Sequence, residues 1–203
     1  MHELHASLEI ELSLLKKGIR TIAGIDEAGR GPLAGPVVAA AIVFPSGTFI
    51  KGVEDSKKLS EKRREELFPL INEQALSVGV GIVEHDVIDR VNILQATVLA
   101  MHKAIDDLTL KPEFVIVDGN YFRHDVYPYQ TIIDGDEQSF TIAAASIVAK
   151  VTRDRLMREF HVQYPLYGFA QHKGYGTKQH LEAIKRYGLC DIHRRSFDLH
   201  LGK

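Results

Sequence analysis

Gly24-Ile25-Asp26-Glu27-Ala28-Gly29-Arg30-Gly31-Pro32-Leu33-Ala34-Gly35 sets two adjacent carboxylates and an arginine inside a glycine-dense turn. Thr21-Ile22-Ala23 precedes this stretch, and Pro36-Val37-Val38-Ala39-Ala40-Ala41-Ile42-Val43-Phe44 follows it, so the turn joins two apolar segments that read as strands. Hard cations such as Mg²⁺ take one or two carboxylate oxygens together with substrate phosphate oxygens, and glycine lets main chain approach a ligand closely. A strand ending in Asp26 and Glu27 is therefore suited to holding a divalent cation beside a phosphate. The competing reading is a hairpin whose polar tip simply faces water.

The rest of the chain narrows the choice. At 203 residues with 45% apolar content it has enough material for one domain with a sizeable core. The longest apolar run, Val37 to Phe44, is strand-sized, which excludes a transmembrane helix; Glu3, Glu9 and Glu11 stand where a signal peptide carries basic charge, so a cytoplasmic protein is expected. Cys190, the single cysteine, has no partner for an internal disulfide and reads as structural, a small hydrophobe. Net charge is −2, yet its distribution is uneven. Lys150 to Lys203 holds eleven Lys or Arg against five Asp or Glu, and Lys51 to Arg64 holds six against three, which leaves an acidic remainder. Two basic segments can grip a polyanion while the acidic part serves a metal centre; ordinary solvated helix faces would give the same counts.

In chain order, Leu4, Leu8, Leu12 and Leu15 predict an amphipathic helix over 3–17. Strands are expected at Thr21 to Asp26 and Pro36 to Phe44. A helix follows over Glu61 to Leu67, capped by Ser60 and kinked or ended by Pro69. Leu76 to Val83 alternates Val78, Val80 and Ile82 with small or polar residues, as in a half-buried strand. Asn92 can cap a helix with the stripe Ile93, Val98, Met101, Ile105 and Leu108. Phe114 to Asp118 suits a strand buried on both faces, 121–128 a loop, and Gln130 to Ile133 another strand. A long helix is expected from about Ser139 to Gln163, then a loop over Tyr167 to Thr177, then a helix from Lys178 to Tyr187 stopped by Gly188.

Asp26, Glu27, Asp118 and Asp136 thus fall at or near the C-terminal ends of expected strands, where ligands collect in an open α/β sheet. Four carboxylates in one cleft repel one another unless cations neutralise them. Two divalent ions about 3.5 to 4 Å apart would do so and would assist phosphodiester cleavage.

Seven blocks then resemble one family. Gly24 to Pro32, Asp55-Ser56-Lys57-Lys58-Leu59, Asp118-Gly119, Gly135-Asp136, Ala144 to Lys150, His172 to Thr177 and His193 to Phe197 are similar, in that order, to bacterial ribonuclease HII, the type 2 ribonuclease H. The likeness runs over roughly residues 20 to 198. It implies an α/β, RNase H-like fold: a mixed five-stranded sheet flanked by helices, with a C-terminal helical extension, in a single domain over 1–203, the core over about 20–160 and the extension over about 161–203. It implies that Asp26, Glu27, Asp118 and Asp136 are the catalytic, metal-holding carboxylates for two Mg²⁺ or Mn²⁺ ions. The implied activity is endonucleolytic cleavage of the RNA strand in RNA/DNA hybrids, with incision 5′ of single ribonucleotides in duplex DNA, leaving 3′-hydroxyl and 5′-phosphate ends. Gly29, Arg30 and Gly31 match the family's sensor of the ribose 2′-hydroxyl, together with Tyr175; that hydroxyl is what separates RNA from DNA. Ser56, Lys57, Lys58, Lys150 and Lys173 are the expected substrate contacts, chiefly to phosphates.

The sequence departs from the family at Asp134, where lysine is frequent, and adds Glu137. Asp134 is therefore a rival to Asp136; strand alternation would put both on one side, and the Gly-Asp match favours Asp136. Arg194 and Arg195 read as structural or phosphate-facing. Histidines 172, 180 and 193 fit no zinc spacing and are expected to hydrogen-bond. A monomer is expected, with no clamp-binding motif in a chain ending at Lys203. Two alternatives stand beside this reading: a same-fold nuclease restricted to longer hybrids, and a non-catalytic nucleic-acid-binding module.

Overall fold

The computed structural model describes residues 6–198. Apolar runs flanking the glycine turn pair as expected: β1 (Ile22–Ala28) lies antiparallel to β2 (Val37–Val43), with Ile25 opposite Ala41. β2 also pairs antiparallel with β3 (Ser77–Val83), while β4 (Phe114–Asp118) lies parallel to β1 and β5 (Tyr129–Ile132) parallel to β4. The order is β3-β2-β1-β4-β5, a mixed five-stranded sheet. Every residue of β2 is buried, which its unbroken Val-Ala-Ile composition requires of a strand covered on both faces.

Two helices cover those faces. α4 (Ile93–Asp107), capped by the Asn92 side chain accepting from the Gln95 amide, packs Ala100, Met101 and Ile105 against β1 to β3. α6 (Phe140–Gln163), capped by Ser139, packs its run Ala143-Ala144-Ala145 with Ile147 and Val148 on the other face. Small residues bring this helix onto the sheet: a Cβ on Gly24 would lie 2.6 Å from the Thr141 carbonyl carbon. α2 (Glu61–Gln74) packs on α6 through Leu67 and Ile71. Shorter helices are α1 (Glu9–Lys16), α3 (His85–Val91) and α5 (Gly135–Gln138). After α6, a 3-10 turn (Pro165–Tyr167), α7 (Phe169–His172) and α8 (Lys178–Tyr187) form the C-terminal extension, which shares a core with Leu33, Ala34 and Met157. No helix among the described residues is long and apolar enough to cross a membrane.

Several expectations change. α2 runs through Pro69 to Gln74, because burial of Leu67 and Ile71 on either side of it outweighs the ~3 kcal/mol an interior proline costs. In α1 the buried residues are Glu11 and Leu14, while Leu12 is exposed; Leu4, the first of the expected stripe, lies outside the described residues. Glu11 is buried because its carboxylate accepts from the Ser139 hydroxyl (2.6 Å) and the Thr141 amide (3.0 Å) at the start of α6, where helix amides favour an anion. In β3 the fully covered positions include the glycines, with Val78 and Val80 partly buried on the other face. A Cβ on Gly81 would sit 1.9 Å from the Ala100 carbonyl oxygen, so the absence of a side chain sets how close α4 comes. Gly81→Ala is accordingly expected to destabilise the protein by about 2–3 kcal/mol in urea denaturation, because backbone on both sides must move; a midpoint like that of the parent protein would contradict this packing.

Candidate active site

Parallel pairing of β1 with β4 brings the ends of both strands, and so Asp26 and Asp118, to one edge of the sheet. Asp26 is buried, and its Oδ1 accepts from the Glu27 amide at 2.7 Å. Glu27 meets the Arg30 guanidinium at 3.2 Å. Asp118 Oδ1 accepts from the Gly135 amide at 2.7 Å, which ties the β4 end to the start of α5. Asp136, in the first turn of α5, is buried with its Oδ2 3.3 Å from Lys57 Nζ. The 133–136 segment does not continue as a strand, so alternation does not apply there: β5 stops at Ile132, Asp134 turns left-handed (φ 51°) and is exposed, and Asp136 alone turns inward.

A cavity of about 220 Å³ opens over this edge. Asp26, Glu27 and Asp118 wall it on one side, and the Gly29-Arg30-Gly31 turn and Tyr175 on another. Ser56, Lys57 and Lys150 complete it. Two expected contacts lie elsewhere. Lys58 pairs with Glu137 at 2.8 Å, both partly exposed. Lys173 is buried, and its Nζ donates to the Ala170 carbonyl at 2.5 Å and faces Glu61. Its backbone is left-handed (φ 51°) and its ammonium does not line the cavity, a placement that its position in a basic loop did not signal.

The electrostatics record an excess of negative charge. Burial, then the Glu27, Asp118 and Asp136 carboxylates, hold Asp26 well above the usual carboxylate range. Burial also raises Glu27, against the pull of Arg30. Asp136 is pushed up to about 6 by burial; Lys57 opposes this, while Asp118 and Asp55 add to it. Lys57 in turn is raised, since Asp136, Asp55 and Asp26 outweigh its desolvation. Among the described residues no group of three or more Asp, Glu, His or Cys side chains is arranged so that it could hold a metal ion by itself. An open all-carboxylate edge fits Mg²⁺ or Mn²⁺, which keep waters and take substrate phosphate oxygens. Buried carboxylates held above their ordinary range by one another are what such a cation would relieve.

Residues that the sequence did not single out hold this wall. Ser146 of α6 lines the cavity and shares a 2.6 Å hydrogen bond with Ser56. Asp154, one helical turn beyond Lys150, pairs with it at 2.6 Å and with Arg64 at 3.6 Å; Arg64 donates to the Ser56 and Leu59 carbonyls and so fixes the Ser56-Lys57-Lys58 loop. Asp55 is buried beside Asp136. The histidines do hydrogen-bond: His180 Nδ1 lies 3.0 Å from the Tyr175 carbonyl, which makes it the donor, so its Nε2 accepts from His193 Nε2 at 3.1 Å. His193 Nδ1 then accepts from the Cys190 amide at 2.9 Å. Burial keeps His180 neutral, lowering it to about 4, and pushes the Cys190 thiol up to about 11. Arg195 is exposed, its amide bound to Asp89.

Residues 23–200 match the family described as Ribonuclease HII. A ribonuclease HII of Acetivibrio thermocellus is 53% identical over 198 residues, covering 96% of this chain and 77% of that protein. Another, of Geobacter sulfurreducens, is 56% identical over 189 residues, covering 93% and 87%. Among solved structures, the PCNA:RNase HII complex from Archaeoglobus fulgidus matches with a TM-score of 0.74 at 28% identity, covering 90% of this chain and 98% of that one.

Proposed function

The chain belongs to the ribonuclease HII family, and from that premise we propose how its cleft recognises and cuts a nucleic acid. It is a ribonuclease H, a divalent-metal-dependent endonuclease that hydrolyses phosphodiester bonds. The proposed substrates are the RNA strand of an RNA/DNA hybrid and a single ribonucleotide embedded in duplex DNA, incised on its 5′ side to leave 3′-hydroxyl and 5′-phosphate ends. Removal of misincorporated ribonucleotides and RNA primers is the role this activity serves. The observation that carries the reading is one cavity walled both by Asp26, Glu27 and Asp118 and by the Gly29–Gly31 main chain with Tyr175.

Asp26, Glu27, Asp118 and Asp136 would hold two ions, Mg²⁺ or Mn²⁺. When bound, such ions supply a water of lowered pKa and stabilise the leaving oxygen. The protein's own groups bind and orient. Lys57 keeps positive charge beside Asp136, and its side chain, 77% exposed, is free to meet a phosphate. Ser56 and Lys150, which line the cavity, add phosphate contacts, which fix position without reading sequence; Lys58, held by Glu137 outside it, is not among them. Main chain at Gly29, Arg30 and Gly31, with the Tyr175 ring, reads the 2′-hydroxyl. Lys173 contributes from below the cleft, through its carbonyl. The body over about 20–160 supplies the chemistry and the extension over about 161–203 grips the duplex, within one domain, in a monomeric cytoplasmic enzyme.

A duplex carrying one ribonucleotide, incubated with Mg²⁺ or Mn²⁺, is expected to be nicked once, 5′ of that nucleotide; an intact duplex in the presence of folded protein would overturn the assignment. A second measurement needs no substrate. Cation binding relieves the raised carboxylates, so saturating Mg²⁺ or Mn²⁺ at a hundred times its Kd stabilises the fold by ~2.7 kcal/mol. That corresponds to an increase in Tm of about 5–10 °C for a chain of this size, reversed by chelation. An unchanged Tm across millimolar concentrations of both ions would count against the four-carboxylate centre.

A further inference from the structure

Two buried guanidiniums lie beneath the turn that faces the substrate. Arg194 is wholly buried and donates to the carbonyls of Gly29 (2.6 Å), Arg30 (2.9 Å), Gly35 (2.9 Å) and Pro36 (3.1 Å). Arg153, on α6 and equally buried, donates to the carbonyls of Pro36 (2.9 Å), Ala34 (3.1 Å) and Lys173 (3.0 Å). In a trans peptide the C=O and the following N–H point to opposite sides. Drawing the Gly29 and Arg30 carbonyls inward therefore turns the amides of Arg30 and Gly31 outward. Neither amide donates to a carbonyl among the described residues. Gly29 leaves room for the guanidinium beneath it: its φ is +99°, and a Cβ there would fall 2.0 Å from Arg153 Nε. Gly31 meets only the Tyr175 ring, at 3.7 Å from where its Cβ would be.

Arg153 also joins the turn to the segment carrying Tyr175. Its bond to the Lys173 carbonyl sits next to the Leu33 amide, which donates to the Gly174 carbonyl at 2.8 Å. One fork thus spans both halves of the surface that meets the sugar. A guanidinium suits this task because it offers five donors in a fixed plane, whereas an ammonium is a point donor on a flexible stem.

We propose that Arg194 and Arg153 are positioning residues for ribose recognition, holding the Arg30 and Gly31 amides and the Tyr175 ring in the one arrangement that meets a 2′-hydroxyl. This rests on the reading of the turn as the ribose sensor. Neither arginine touches the substrate; both act through main chain. Burial lowers Arg194 to about 9 and Arg153 to about 10, so both stay charged at neutral pH.

The test compares anisotropy binding of two duplexes of one sequence, one with a single ribonucleotide and one all deoxy, in an Asp118→Asn background that prevents turnover. Arg194→Lys is expected to lower the preference for the ribonucleotide duplex about tenfold, the size of one or two lost hydrogen bonds, while affinity for the all-deoxy duplex stays within twofold. Arg153→Lys provides a second, independent variant with the same expected signature, and circular dichroism establishes folding of each. Unchanged preference in both folded variants, a parallel fall of both affinities, or failure of both variants to fold would overturn the inference in favour of a purely structural role. Absence of any preference in the Asp118→Asn protein itself would remove the ribose-sensing reading and this inference with it, and is told apart because it shows before either arginine is changed.

Discussion

Asp118→Asn is expected to lower the single-turnover cleavage rate about a thousandfold or more while hybrid binding stays within a few-fold of the parent protein. The amide keeps the oxygen that accepts from the Gly135 amide, so the link between the end of β4 and the start of α5 survives and the fold should be undisturbed. What is lost is one negative charge at an edge where Asp26 and Glu27 already lie in the same cavity wall. Carboxylate-to-amide exchange removes a charged ligand for a hard cation, and a thousandfold loss corresponds to about 4 kcal/mol of transition-state stabilisation. The proposed phosphate contacts from Ser56, Lys57 and Lys150 are untouched, which is why binding is expected to persist. Rapid-quench cleavage and anisotropy on one hybrid measure the two effects together, and a rate within tenfold of the parent would remove Asp118 from the catalytic set.

Asp136→Asn is expected to make the metal-free protein more stable, by at most about 3 kcal/mol at pH 8. The sign follows from the direction in which the carboxyl is moved. Its folded pKa, about 6, lies above the ordinary aspartate value of 3.8, so the ionised carboxylate costs the folded state free energy. That cost is absent below pH ~4, grows between pH 4 and 6, and is complete above 6, where a gap of roughly two pH units, at ~1.36 kcal/mol for each, accounts for the figure quoted. Asparagine carries no charge to desolvate and can still donate to Asp55, which lies beside it. Only the contact to Lys57 is forfeited, and that side chain is mostly in solvent. Urea denaturation with chelator at pH 8 and pH 4 should therefore show a stabilised variant at the higher pH and near-equal stabilities at the lower. Saturating Mg²⁺ should reverse the order at pH 8. A variant less stable than the parent at both pH values would mean that Asp136 is held by favourable contacts and is not part of a strained acidic edge.

Local pattern was enough for much of this architecture. The unbroken apolar composition of Val37 to Val43 and Phe114 to Val117 marks strands covered on both faces, and carboxylates at the ends of such strands must gather at one sheet edge once β1 and β4 pair in parallel. Ser60 and Asn92 announce helix starts because a short polar side chain satisfies an amide a few residues ahead, which is a local event. What was not legible depends on partners distant in sequence. Gly79 and Gly81 look like weak points in a strand until α4 is placed on them. Pro69 looks like a helix end until Leu67 and Ile71 are seen in the core. Arg194 could have faced a phosphate; its acceptors lie about 160 residues earlier, and only folding reveals that they are carbonyls. Lys173 failed in the opposite sense, since a basic residue between glycine and aromatic neighbours gives no sign that its ammonium is tucked against Ala170.

Ser146, Lys150, Arg153 and Asp154 reach, respectively, the Ser56 loop, the cavity, the glycine turn and the Arg64 clamp, all from α6. Their separations of four, three and one residues keep them within one broad face of a helix that advances about 100° and 1.5 Å per residue. The helix consequently behaves as a ruler. One residue inserted between Ser146 and Lys150 would leave the first graduation where it is and rotate the other three by more than a quarter turn, detaching the sugar-facing turn from the cutting edge with every side chain still present. Length and phase along α6, more than the identity of any one residue on it, then set the spacing between the glycine turn proposed to read the sugar and the carboxylate edge proposed to cut.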